Sequence, residues 1–253
     1  MPDPTTPPPA TSGSSGPVPD LYRALHDASR RALEDLVASE DSRRRLIDVH
    51  ALVLDFQPWL SVLEERPELD PLRTAVRELH AAVLMASQAL YRPAYMALRL
   101  FLELSLGTLF FSALDFELRR WAAGERDVVW RDVSDKGHGV LSAAFARAYA
   151  PLLEGTQEDF RELAVTTYRT CSQFVHGNPG PTSLLPEDIA LSEPTFSQFC
   201  DTAHSATRVV LYTLVVRHFG SLAPSHMETV KPGIVDHFGD VPAVRSFVAP
   251  VPE

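Results

Sequence analysis

Apolar residues recur three and four positions apart along most of the chain, and no stretch alternates with the period of two that a half-buried strand shows. There is no βαβ rhythm and no internal repeat, so the pattern predicts an all-α fold. Asp20 is placed to cap a first helix running to about residue 38. A second helical pattern covers 44–65 through Leu46, Val49, His50, Val53, Leu54 and Leu60, with Pro58 expected to kink or divide it. A third covers 72–90 through Val76, Leu79, His80, Val83 and Leu84. Residues 92–121 read RPAYMALRLFLELSLGTLFFSALDFELRRW, with Pro93 suited to a first helical turn. This segment is apolar nearly all round, the pattern of a membrane span or of the central helix of a bundle. Arg99 and Glu103 decide for the bundle, because each mid-span charge costs about 2.5–3.5 kcal/mol on insertion scales.

A charged connection (GERDVVWRDVSDKGHG) then leads to helices expected over 140–153 and 156–175. The stretch GNPGPTSLLPEDIALSEP, residues 177–194, is predicted as a loop, either a lid or a packing arm. A long helix follows over 195–219. The segment GIVDHFGDVPAVRSFV predicts a short helix capped by Asp240, docked as a C-terminal appendage over 226–253. The bundle itself spans 20–225.

Composition changes this picture at the chain start. Seven of the 21 prolines lie in residues 1–19, MPDPTTPPPATSGSSGPVP, which contain almost nothing apolar to offset the entropy of ordering. That segment is expected to be a disordered tail. The net charge of −10 excludes a general basic coat for nucleic acid, so any anion site must be local. Cys171 and Cys200 cannot make a disulfide framework, and nothing at the start resembles a signal peptide. A reducing cytoplasm is therefore the expected compartment, with no membrane partner. Arginine outnumbers lysine 21 to 2, a bias read as GC-rich coding.

Several common sites are missing: no nucleophile elbow, phosphate loop, dinucleotide fingerprint or His-Glu-x-x-His pair occurs. The nine histidines lack ligand-type neighbours at metal spacing, so no metal or other cofactor is expected. One segment stands apart: TYRTCSQFVHGN, residues 167–178. Arg169 and His176 are seven residues apart, nearly two full turns, and share one helix face with Ser172 between them and Gln173 to one side. That face lies opposite the apolar stripe Phe160, Leu163, Ala164, Thr167, Tyr168, Cys171 and Val175, and Gly177-Asn178 supplies a stop. Glu158 and Glu162 share the face, as on any solvated helix side, and a terminal His is also favoured by the helix dipole.

The YRTCSQFVHGN segment resembles the signature of the HEPN superfamily of helical domains, in which an Arg precedes a His by a few residues near the end of a bundle helix. ALRLFLELSL adds to the likeness, because some bacterial HEPN-like families carry an Arg and a Glu one turn apart on an apolar helix. The resemblance covers about residues 72–219. It departs from the common pattern at Thr170, where Asn, Asp or His often follows the Arg, and in overall acidity. Many such domains are metal-independent ribonucleases of toxin–antitoxin, abortive-infection or other phage-defence systems. Others have lost activity and serve as dimerisation or RNA-binding modules. The resemblance therefore implies RNA cleavage by Arg169 and His176 with Ser172 in support, in a homodimer. The alternative is a non-catalytic module that binds a partner such as an antitoxin or effector. A helical small-molecule sensor is a third class.

The chemistry implied is coherent without metal. His can carry a proton on or off an oxygen near neutral pH, and guanidinium can fork a phosphate. The two Cα atoms are about 10 Å apart along the helix axis, and helical side chains lean toward the N-terminus. A two-fold dimer that apposes the two faces would join Arg169 of one chain to His176 of the other. Arg99 and Glu103 have two arrangements open to them. Either they satisfy one another or end at the surface, or Glu103 faces the motif helix and supports Arg169 or His176.

Overall fold

Prolines or polar caps mark where several of the helices begin in the computed structural model, which describes residues 16–183 and 185–249. Every regular element among them is helical. Helix α1 spans Pro17–Ala38, with Gly16 as its N-cap and Asp20 inside the first turn. Residues 17–19 are thus helical rather than part of the tail. Proline suits an N-terminal turn, whose N–H groups have no intrahelical acceptor. The rest of the expected tail, residues 1–15, lies outside the described residues.

Ser39 alone separates α1 from α2 (Glu40–Leu54), and its hydroxyl caps α2 by accepting from the Ser42 N–H. The pattern over 44–65 divides as Pro58 suggested, α3 (Gln57–Val62) starting with proline in its first turn. Helix α4 spans Leu69–Ser87 and α5 spans Tyr91–Phe111. The long apolar segment ends there instead of at residue 121, and α6 follows as Asp115–Ala122. Arg217 holds the break, donating to the Ser112 carbonyl at 2.8 Å and to its hydroxyl at 2.9 Å. A carbonyl freed by the end of the helix is thereby satisfied.

The charged connection contains a single turn, α7 (Trp130–Val133). The helix expected over 140–153 is α8 (Ala143–Tyr149) followed by a 3-10 turn at Pro151–Leu153, where proline interrupts the α-helical bonding. Then come α9 (Gln157–Val175), the short α10 (Pro179–Thr182) and α11 (Glu193–His218). The C-terminal segment forms two helices, α12 (Pro224–Phe238) and α13 (Pro242–Val248). Asp240 does not cap the second one. It lies in the turn between them and pairs with Arg208 of α11 at 3.2 Å, while Val241 is the cap.

Helices α5 and α11 share the centre. α5 packs against α4, α9 and α11, and α11 also packs against α2 and α9. By length and composition α5 could cross a membrane, but 67% of its apolar window is buried within the protein. Val230, Ile234, Phe238, Val244 and Val248 bring α12 and α13 into the same hydrophobic core, so the appendage is docked. Phe238 meets the Phe160 ring edge-on at 5.7 Å between centroids.

Candidate functional site

Helix α9 is amphipathic. Phe160, Ala164, Thr167, Cys171 and Phe174 turn inward, and Phe174 stacks on Tyr95 of α5 at 3.9 Å. The inward stripe ends on Phe174 rather than Val175. The opposite side carries Arg169 and His176, both exposed. Ser172 lies between them, as the seven-residue spacing predicts.

His176 is the C-cap of α9, and the chain stops there by a defined hydrogen-bond pattern. The Gly177 N–H reaches the Phe174 carbonyl at 3.3 Å, and the Asn178 N–H reaches the Gln173 carbonyl at 3.1 Å. These are the two bonds of a Schellman motif, and Gly177 takes the left-handed conformation it needs, φ +67°. Arg92, from the first turn of α5, donates to the Val175 carbonyl at 3.2 Å. A second guanidinium thus stands at the end of α9 beside His176. Sequence reading missed Arg92 because the contact joins residues 83 apart. Among the described residues the Arg169 side chain makes no hydrogen bond or ion pair.

On the flank of α9, Tyr168 meets Arg99 and Glu103 of α5. The Tyr168 hydroxyl accepts from Arg99 Nη2 at 2.6 Å and donates to Glu103 Oε1 at 2.8 Å, and Arg99 pairs with Glu103 at 3.1 Å. Trp130 of α7 stacks flat on the Tyr168 ring at 3.9 Å, and the Arg99 guanidinium lies 4.7 Å from the same ring centroid. Burial pushes the Tyr168 phenol up, and its bond to Glu103 adds to this. Burial opposes the charge of Arg99, but the Glu103 carboxylate outweighs it and the guanidinium is held above its usual range. Tyr168 and Trp130 were not singled out from sequence. Tyr168 reads as part of an apolar stripe, and Trp130 falls in a connection.

Glu103 therefore does face α9, and it also satisfies Arg99. It does not support Arg169 or His176 by contact, because its acceptor goes to Tyr168, whose direction differs from that of Arg169 by about 100° around the helix. Ser172 is half-buried and its hydroxyl is enclosed without a hydrogen-bond partner, as is Arg99 Nε. It thus hydrogen-bonds to neither the His176 imidazole nor the Arg169 guanidinium.

Both thiols are buried, which pushes Cys171 and Cys200 up to about 12, far from a reactive thiolate. No three His, Cys, Asp or Glu side chains come together to hold a metal ion among the described residues. In the 177–194 stretch, Leu185, Ile189 and Leu191 pack on the core, and the Tyr91 hydroxyl bonds both the N–H and the carbonyl of Ser192. Those contacts make it a packing arm. Comparisons with protein-family models, curated proteins and solved structures found no match for this chain.

Proposed function

We propose that this chain is a HEPN-like, metal-independent endoribonuclease of a toxin or antiphage defence system, acting in the cytoplasm as a homodimer. The observation that carries the proposal is the shared open face of Arg169 and His176, with the Arg169 guanidinium uncommitted to any carboxylate among the described residues. Arg92 brings a further positive charge to the end of α9, bonded only to a neutral carbonyl, in a chain whose net charge is −10. Met96 and Leu100 of α5 and Val165 of α9 are exposed on two helices that pack together, apolar surface suited to pairing with a second copy.

In this scheme His176 of one copy removes the proton from a ribose 2′-hydroxyl. The 2′-oxygen attacks phosphorus, the bond from phosphorus to the 5′-oxygen breaks, and His176 of the partner subunit gives a proton to that leaving oxygen. Arg169 holds the non-bridging oxygens as charge builds on them. The products are a 2′,3′-cyclic phosphate and a 5′-hydroxyl. Neither Ser172 nor Glu103 acts on the reacting atoms. Glu103 and Arg99 position α9 through Tyr168.

The test is incubation of purified protein with RNA in EDTA, beside Arg169→Ala and His176→Ala. Cleavage by the parent alone, with cyclic-phosphate ends, supports the proposal, and equal activity in all three overturns it. The exposed Met96, Leu100 and Val165 equally suit a non-catalytic module that grips an antitoxin or effector protein. That second reading expects no cleavage and a stable complex of unlike chains in which these three residues are covered.

A further inference from the structure

The start of α1 leaves an apolar surface uncovered. Residues 16–26 are exposed throughout, yet Val18, Leu21, Tyr22 and Leu25 follow the i, i+3, i+4, i+7 spacing of one helix face. Tyr22 is 68% exposed. The same stripe continues into Ala32 and Leu36, which are buried where α1 meets α2 and α4. A second apolar surface is open on the body. A groove of about 420 Å³ runs between α2 and α4, lined by Leu46, Ile47 and His50 on one side and His80, Val83 and Leu84 on the other. Ile47 is 63% exposed.

We infer that two copies of the chain exchange these parts, the α1 stripe of each seating in the α2–α4 groove of the other. A chain cannot fill its own groove with this stripe. Its 22 residues make α1 about 33 Å long, against about 22 Å for the 15 of α2, and only Ser39 joins them. The first turns of α1 therefore extend past α2, residues 16–26 are exposed, and no residue of α1 lines the groove. A helix carrying anchors at i, i+3, i+4 and i+7 is the shape an apolar groove accepts. Because each copy offers one stripe and one groove, a two-fold axis satisfies both and closes the assembly. The exchange uses two such contacts at once, which doubles the apolar surface covered relative to a single helix in a groove. Copies that each carry −10 repel one another, and on the projecting turns of α1 Asp20 is neutralised by Arg23 at 2.7 Å.

This pairing involves surfaces other than the α9 face and does not depend on the ribonuclease proposal. Light scattering tests it. The protein is expected at 56 kDa, twice its 28.0 kDa chain, or at a multiple of that mass. Leu21→Asp with Tyr22→Asp, and separately Ile47→Asp with Leu84→Asp, each halve the observed mass. All four positions are exposed, so melting temperature is unchanged at low protein concentration. Mixing a Leu25→Cys chain with a Leu84→Cys chain gives a disulfide-linked pair on oxidation, while Leu25→Cys alone gives none. A protein that is monomeric at all concentrations overturns the inference, as does crosslinking by Leu25→Cys alone. Halving by Met96→Asp with Leu100→Asp but by neither of the other pairs also overturns it and favours pairing through the α9 face.

Discussion

The Tyr168 hydroxyl donates to Glu103 Oε1 at 2.8 Å, from the residue directly before Arg169. The α5 carboxylate thus anchors the backbone that presents Arg169 without touching its guanidinium. Tyr168→Phe keeps the stack on Trp130 and removes both hydroxyl bonds, leaving the partly buried Arg99–Glu103 pair one partner short. A loss of about 1–2 kcal/mol in unfolding free energy is expected, read by urea denaturation. Glu103→Ala is expected to cost at least as much, because Arg99 then loses the carboxylate it pairs with. A change of less than 0.3 kcal/mol in both variants would show the triangle to be incidental.

Gly177 ends α9 at φ +67° and lies immediately after His176. A Cβ there would stand 3.5 Å from Arg92 Nη2, an ordinary contact, so the cost of substitution is one of backbone conformation. Gly177→Ala is expected to destabilise the protein by about 1–2 kcal/mol. Gly177→Asn should recover part of this, because Asn tolerates the left-handed region better. Thermal melts of the two variants side by side check the order, and Ala at or above Asn contradicts it.

The helices and the α9 face were legible in the sequence because both depend on local periodicity. The spacing of Arg169 and His176 and the Gly177-Asn178 stop each involve neighbours within two turns. What escaped was set by distant partners. The end of α5 at Phe111 depends on Arg217, and Arg92 reaches His176's end of α9 from 83 residues away. Tyr168 shows the same limit: periodicity gives its side of the helix, and only the fold brings Glu103 to its hydroxyl. Of the two arrangements open to Arg99 and Glu103, they satisfy one another, and the further contact Glu103 makes on α9 is to Tyr168, one residue and so one helix direction away from Arg169.

His218 is fully buried at the end of α11, with Nε2 3.5 Å from Glu68 Oε1. Burial, with the Arg217 and Arg66 charges nearby, depresses its pKa from 6.5 to about 3, so the folded protein holds the imidazole neutral. The unfolded chain therefore takes up a proton below pH 6.5 that the folded chain refuses. Stability falls as pH drops from about 6.5 toward 3, by up to about 1.4 kcal/mol per pH unit from this group. Unfolding free energy measured at pH 7, 6 and 5 should decline, and His218→Gln should flatten the decline. A wild type that becomes more stable than His218→Gln toward pH 5 would mean that Glu68 instead draws the proton onto His218.

Arg92 joins the start of α5 to the end of α9 through one exposed hydrogen bond to a carbonyl, so its worth to folding is small. Its worth to an RNA ligand is of another kind. Under the ribonuclease proposal it is a phosphate contact beside His176, and each phosphate neutralised on a single strand releases about 0.7 of a counterion. Arg92→Gln keeps a donor for the Val175 carbonyl but removes the charge. Its expected effect is RNA affinity weakened about equally for all sequences, with the slope of log affinity against log salt smaller by about 0.7–1. Arg169→Ala should reduce the slope similarly and also abolish cleavage, whereas Arg92→Gln retains measurable turnover at saturating RNA. Fluorescence anisotropy at four salt concentrations separates the two variants. An unchanged slope for Arg92→Gln would remove the α9 terminus from the RNA path.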